Sequence, residues 1–134
     1  MTDSGAQRDT LSLLHAVIGG KEPPGALAER IADDAVFHSP VMHTPQEGRD
    51  LVMQYLGAAL QLFSAYDFCY VREIVDGREA MLEFTLTIEG TFVNGIDVIS
   101  FDEAGNINDF KVFLRPLQGM QKVREKMMAQ MARG

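Results

Sequence analysis

The stretch Phe92-Val-Asn-Gly-Ile-Asp-Val-Ile-Ser-Phe101 decides the fold, because it reads as a long strand with a carboxyl in its apolar face. Side chains of a strand point alternately to its two faces. Val93, Asp97, Ile99 and Phe101 therefore share one face, with Gly95 leaving space beside the acid. An ionised carboxylate is costly among such neighbours, so it must be paired, hydrated or kept protonated. Perturbed acids of this kind cluster at functional sites, which makes Asp97 the first candidate residue. The opposite face carries Phe92, Ile96 and Val98, so both faces are apolar. One layer of helices covers only one of them, and a second copy of the chain on the outer face is the simplest cover for the other.

Outward from this strand, the period stays at two. Ala80, Leu82, Phe84, Leu86 and Ile88 alternate with polar residues, and Asp76-Gly77 marks a hairpin between strands 66–75 and 78–88. Glu89-Gly90 gives the next turn, and Asn94-Gly95 is expected as a bulge. Phe110, Val112 and Leu114 alternate with Asp109, Lys111 and Arg115 up to Pro116.

The flanks are helical. Leu11, Leu14 and Ile18 mark a first helix after ten frayed residues, ended by Gly19-Gly20. A short helix runs from Pro24 to about Ile31, a brief strand covers Ala35 to Ser39, and residues 41–47 read as a loop. Val52, Leu56, Ala59 and Phe63 stripe a helix from Gly48, and Leu117, Met120, Val123, Met127 and Met131 stripe the last one. Helices followed by a hairpin-linked meander predict an α+β fold, with N-terminal helices packed in the concave face of a strongly curved, mostly antiparallel sheet and a C-terminal helix added.

A chain of 134 residues is expected to form one domain, 1–134. Its net charge of −7 argues against nucleic-acid binding, which needs a basic face. Six of the twelve basic residues fall in the last 24 positions, as expected for a solvated terminal helix. Cys69 is the only cysteine, no stretch is long enough to span a membrane, and the start lacks an apolar signal core, so a cytoplasmic protein is expected. His38 and His43 lack a third spaced ligand, so no metal is expected.

Three segments carry a resemblance: Ile31-Ala-Asp-Asp-Ala-Val-Phe-His-Ser-Pro40, Gly48-Arg49 opening a helix, and Ile96-Asp-Val-Ile-Ser-Phe-Asp-Glu-Ala-Gly-Asn-Ile107. Together they resemble the SnoaL-like branch of the nuclear-transport-factor-two superfamily, which also holds the ketosteroid isomerases. The resemblance spans roughly residues 8–116 and implies a cone-shaped roll that hosts many chemistries. It places Asp97 where the isomerases keep a neutral acid that donates to an enolate oxygen. His15 falls close to the tyrosine that shares this role, and Ser39 occupies the position of the proton-moving aspartate. A serine hydroxyl does not abstract a carbon-bound proton at neutral pH without its own base, so steroid isomerisation is not expected. The epoxide-hydrolase relay of two acids and an arginine is also not expected, because Arg115 is predicted outward. Cyclase- or isomerase-like polarisation of a carbonyl by Asp97, assisted by His15, is the leading reading, and it calls for no cofactor. A non-catalytic ligand-binding or dimeric accessory domain of the same fold competes with it. The expected cavity, suited to a small apolar or carbonyl-bearing ligand, is lined by Leu14, Ile18, Phe37, Ser39, Tyr55, Phe63, Phe84, Leu86, Ile99, Phe110, Val112 and Leu114 around Asp97.

Overall fold

In the computed structural model, residues 5–132 are described. Two tight hairpins build the centre of the sheet. Strand β3 (Cys69–Asp76) turns into β4 (Glu79–Ile88) through Gly77-Arg78, and β4 turns into β5 (Thr91–Phe101) through Glu89-Gly90. Glu89 and Gly90 both have positive φ (52° and 85°), the twist that matches a right-handed strand pair. The first turn sits one residue later than predicted, since Asp76 pairs with Glu79 and ends β3.

Strand β6 (Ile107–Arg115) follows on the other side of β5, and β1 (Ile31–His38) lies parallel to it. The two-residue β2 (Gln46–Glu47) closes the edge, giving the order β2-β1-β6-β5-β4-β3. The predicted loop at 41–47 thus ends in a strand. The predicted strand 35–39 begins earlier, at Ile31, with the register shifting between Ile31 and Val36 and leaving Asp33 and Asp34 exposed.

The predicted bulge at Asn94-Gly95 is absent. Both residues pair in unbroken register with Thr85 and Phe84 on one side and with Arg115 and Leu114 on the other. Gly95 is required for a different reason. A Cβ there would lie 2.4 Å from the Phe84 ring and 2.7 Å from Leu114, so the large side chains on neighbouring strands use the space that glycine leaves.

Helix α1 (Gly5–Ile18), a 3-10 helix (Pro24–Arg30) and α2 (Arg49–Phe63) fill the concave face. Helix α1 starts inside the segment expected to fray. Its polar residues Gln7 and Thr10 are buried because they donate to the Gly77 and Gly105 carbonyls, tying the helix to two sheet connections. Arg49 opens α2 by donating to the Ile31 carbonyl at 2.9 Å and pairing with Asp33 at 2.7 Å. The core between helices and sheet includes Leu14, Leu27, Leu56, Phe37, Phe84 and Phe110, all essentially inaccessible.

Helix α3 (Leu117–Ala132) crosses the open end of the cone with Gly119, Val123 and Met127 turned inward. Gly119 lets it settle against Val93, and Lys122 and Lys126 both reach Glu89 in the β4–β5 turn. No helix among the described residues is long and apolar enough to cross a membrane.

Candidate functional site

On β5 the alternation read from sequence holds. Val93, Gly95, Asp97, Ile99 and Phe101 all face inward and are buried. Asp97 lies between Leu82 of β4 and Val112 of β6, and is 4% exposed. Its partner is Tyr70, whose hydroxyl donates to Oδ2 at 3.0 Å. Tyr70 belongs to an aromatic group with Phe63, Phe68 and Phe84, its ring edge-on to Phe68 at 4.8 Å between centroids. Burial pushes the Asp97 carboxyl up to about 7, and the Tyr70 hydrogen bond opposes that rise by favouring the anion. Tyr70 itself is held well above its ordinary value by burial and then by the Asp97 charge, so it stays a neutral donor.

His15 is not the second donor to Asp97. It sits at the rim of α1, about two-fifths exposed, with Nε2 2.7 Å from Glu73 Oε1 and its ring 5.0 Å from that of Tyr70. The buried positions of α1 are 7, 10, 11, 14 and 17, which leaves residue 15 on the outer edge of the buried stripe. Tyr70 stands between the two predicted residues, donating to Asp97 and packing against the His15 ring.

Open space among the described residues is found at the other end of the helices. A cavity of about 500 Å³ opens at the mouth of the cone between the 39–42 loop, α2 and α3. Its wall comprises Ser39, Val41, Met42, Tyr55, Arg124, Met127, Met128, Met131 and Ala132. Beneath it, a void of about 10 Å³ is bounded by Phe37, Ser39, Pro40, Ala59, Phe63, Val112, Val123 and Met127, too small for more than a water. Of the residues expected to line a ligand cavity, Ser39 and Tyr55 reach the open space, and Phe37, Ser39, Phe63 and Val112 border the void. Leu14, Ile18, Phe84, Leu86, Ile99, Phe110 and Leu114 belong to the core or pack against it, and neither they nor Asp97 and His15 border these two spaces. Met127 of α3 borders both spaces, and Val123 borders the void.

His38 points to the β6 side and meets Asp109 at 2.9 Å, and Arg115 reaches outward to Asn94 at 3.4 Å, as the strand parity predicts. Tyr70 is the site residue that sequence reasoning missed. Its only signal was alternation with Phe68 in a strand of uncertain register.

An α+β roll with helices in the concavity of a bent, mostly antiparallel sheet is the architecture of the nuclear-transport-factor-two-like proteins. The SnoaL-like domain model matches residues 14–110, and the chain belongs to the SnoaL-like family. A steroid delta-isomerase from Pseudomonas aeruginosa is 35% identical, with a TM-score of 0.89, over 97% of this chain and 94% of that one. An uncharacterised bacterial protein with a cystatin-like fold from Silicibacter pomeroyi is 30% identical, with a TM-score of 0.80, over 90% and 84%. The epoxide hydrolase/cyclase-like enzyme SalBIII, of pyran ring formation in salinomycin, shares the fold at 18% identity and a TM-score of 0.65, over 86% and 95%. Comparison with the curated proteins gives no match.

Proposed function

We propose that this domain is a small-molecule-binding member of its family, taking an apolar ligand in the methionine-lined cavity at the mouth of the cone. One observation carries the reading. The space lies under α3, whereas Asp97 lies in packed core with Tyr70 as its hydrogen-bond partner. Carbonyl chemistry needs two or more polar groups converging on one open position. Methionine side chains adapt to varied apolar shapes, and a cavity of this size falls in the range of roughly 300–1,000 Å³ used for small ligands. Nile red, a neutral apolar dye, should bind with a blue-shifted emission. Met128, 60% exposed in the wall, tolerates change, so Met128→Asp should weaken the dye severalfold without unfolding the protein. Unchanged emission on adding wild-type protein would remove the reading.

A second reading, acid catalysis on a carbonyl-bearing ligand, is favoured by the Asp97 carboxyl titrating near neutrality and by the isomerase named above. It requires an opening beside the buried Asp97 carboxyl that admits the ligand. Deuterium uptake next to the carbonyl of a simple ketone, present in wild type and lost in Asp97→Asn, would support it. Equal uptake in both would end it.

We further propose a homodimer through the outer sheet face and a cytoplasmic location, the latter from the lone exposed Cys69. Ile74, Met81 and Val98 form one outward row and Ile96 and Phe113 the next, with Phe92 and Phe113 more than half exposed. Ile96→Asp would bury an unpaired charge in such an interface and should leave monomers in sedimentation at micromolar concentration. A monomeric wild type contradicts the dimer.

A further inference from the structure

We propose that the mouth cavity selects an apolar molecule with one carboxylate, and that Arg124 is the residue that holds that carboxylate. This rests on the cavity reading above and adds the charge of the ligand. Arg124 stands in the wall of the large cavity and also in that of a neighbouring one of about 320 Å³. It makes no ion pair with any described residue, although the other cations of α3 do. Lys122 pairs with Glu89 and Glu125, and Lys126 pairs with Glu89. The chain carries 19 acidic residues and a net charge of −7, yet neither wall includes an Asp or a Glu. An anion entering here meets an exposed guanidinium without an ion-pair partner among the described residues, and no carboxylate in the walls.

The remaining wall is apolar apart from the Ser39 and Tyr55 hydroxyls in the large cavity and His43 and Gln121 in the smaller one. The Ser39 hydroxyl is already engaged by the Val41 amide at 3.2 Å. A guanidinium is charged at every physiological pH and presents a planar fork that matches a carboxylate in two parallel hydrogen bonds. Methionines 127, 128 and 131 lie on the same helix and give the apolar body of the ligand a pliable surface. The arrangement fits a freely dissolved amphiphile with the acid at the rim and the chain beneath α3.

The test compares decanoate with 1-decanol, which share an apolar chain and differ in charge. Calorimetry on the full chain should find decanoate bound about tenfold more tightly, the lower end expected for a charge-assisted hydrogen bond at a partly exposed site. Arg124→Met keeps side-chain bulk and removes the charge, and should erase this preference while leaving decanol affinity unchanged. With methionine methyl groups labelled for NMR, decanoate should shift the signals of Met127, Met128 and Met131. Equal affinities for the two molecules, or an Arg124→Met protein that still prefers decanoate, would overturn the assignment while leaving the cavity reading in place. Binding of neither molecule would overturn both. Shifts confined to other methionines would also overturn the assignment, since the anion would then sit elsewhere.

Discussion

The inner face of β5 and the mouth beneath α3 divide between them what a working site needs in one place. Around Asp97 there is chemistry in a buried setting: a carboxyl pushed up to about 7, one tyrosine donor, and Leu82 and Val112 on the adjoining strands. Under α3 there is room without an acid: about 500 Å³, methionines and one guanidinium. Val123 and Met127 are buried beneath the mouth and border the small void there. Burial is what perturbs the acid, so opening the core to admit a ligand would also relax the perturbation.

The largest expected effect breaks the comparison on the Asp97 side. A carboxyl with a folded-state value near 7 and an unfolded value near ~3.9 binds its proton more tightly in the native state. Its contribution to stability is full below about pH 4, falls as pH rises toward about 7, and is lost above that. The whole excursion is about 4 kcal/mol. Denaturant unfolding of wild type and Asp97→Asn from pH 4 to 8 should differ by this slope, with the Asn variant flatter. Parallel pH profiles would mean that Asp97 is ionised throughout, and the sealed region would lose its claim to chemistry.

A smaller effect sharpens the same side. Tyr70→Phe removes the hydrogen bond that favours the Asp97 anion, so the carboxyl should titrate higher still. At pH 8, where the anion loses its partner, the cost should be about 1–2 kcal/mol, and less at pH 5. Carbon NMR of the labelled carboxyl reads the first part. The smallest effect concerns His15. Its pair with Glu73 is exposed on both sides, so His15→Ala should change stability by no more than about 0.5 kcal/mol and leave the Asp97 titration in place. A displaced Asp97 titration would show that the histidine acts through the Tyr70 ring after all.

The sheet was largely legible because its evidence is periodic. Alternation in β4 and β5 and two turns rich in glycine are local signals, and they set the register between Glu79 and Ser100 residue by residue. The parallel contact of β1 with β6 and the start of β1 at Ile31 are long-range pairings with no local signature. The sheet's acid was legible and its partner was not, for a specific reason. Counted back from the β3–β4 turn, Tyr70 would stand opposite Thr85 on the outer face. A bulge between Tyr70 and Arg72 shifts the register so that it pairs with Phe84 and turns inward. His15 failed by one position on a helix, where neighbours differ by a third of a turn. The location of the cavity was hidden because it depends on how deeply α3 seats. That depth is set by Gly119 against Val93 and by Val123, not by any residue pattern in the cone.

Glu89 does two jobs at once, since it forms half of the β4–β5 turn and also anchors Lys122 and Lys126 of α3. The hairpin tip therefore acts as a bracket for the roof of the mouth cavity, through lysines that alternate with the wall residues Gln121, Arg124 and Met127 along α3. Altering that tip by one residue would reset the roof's height and tilt while leaving every ligand-facing side chain unchanged.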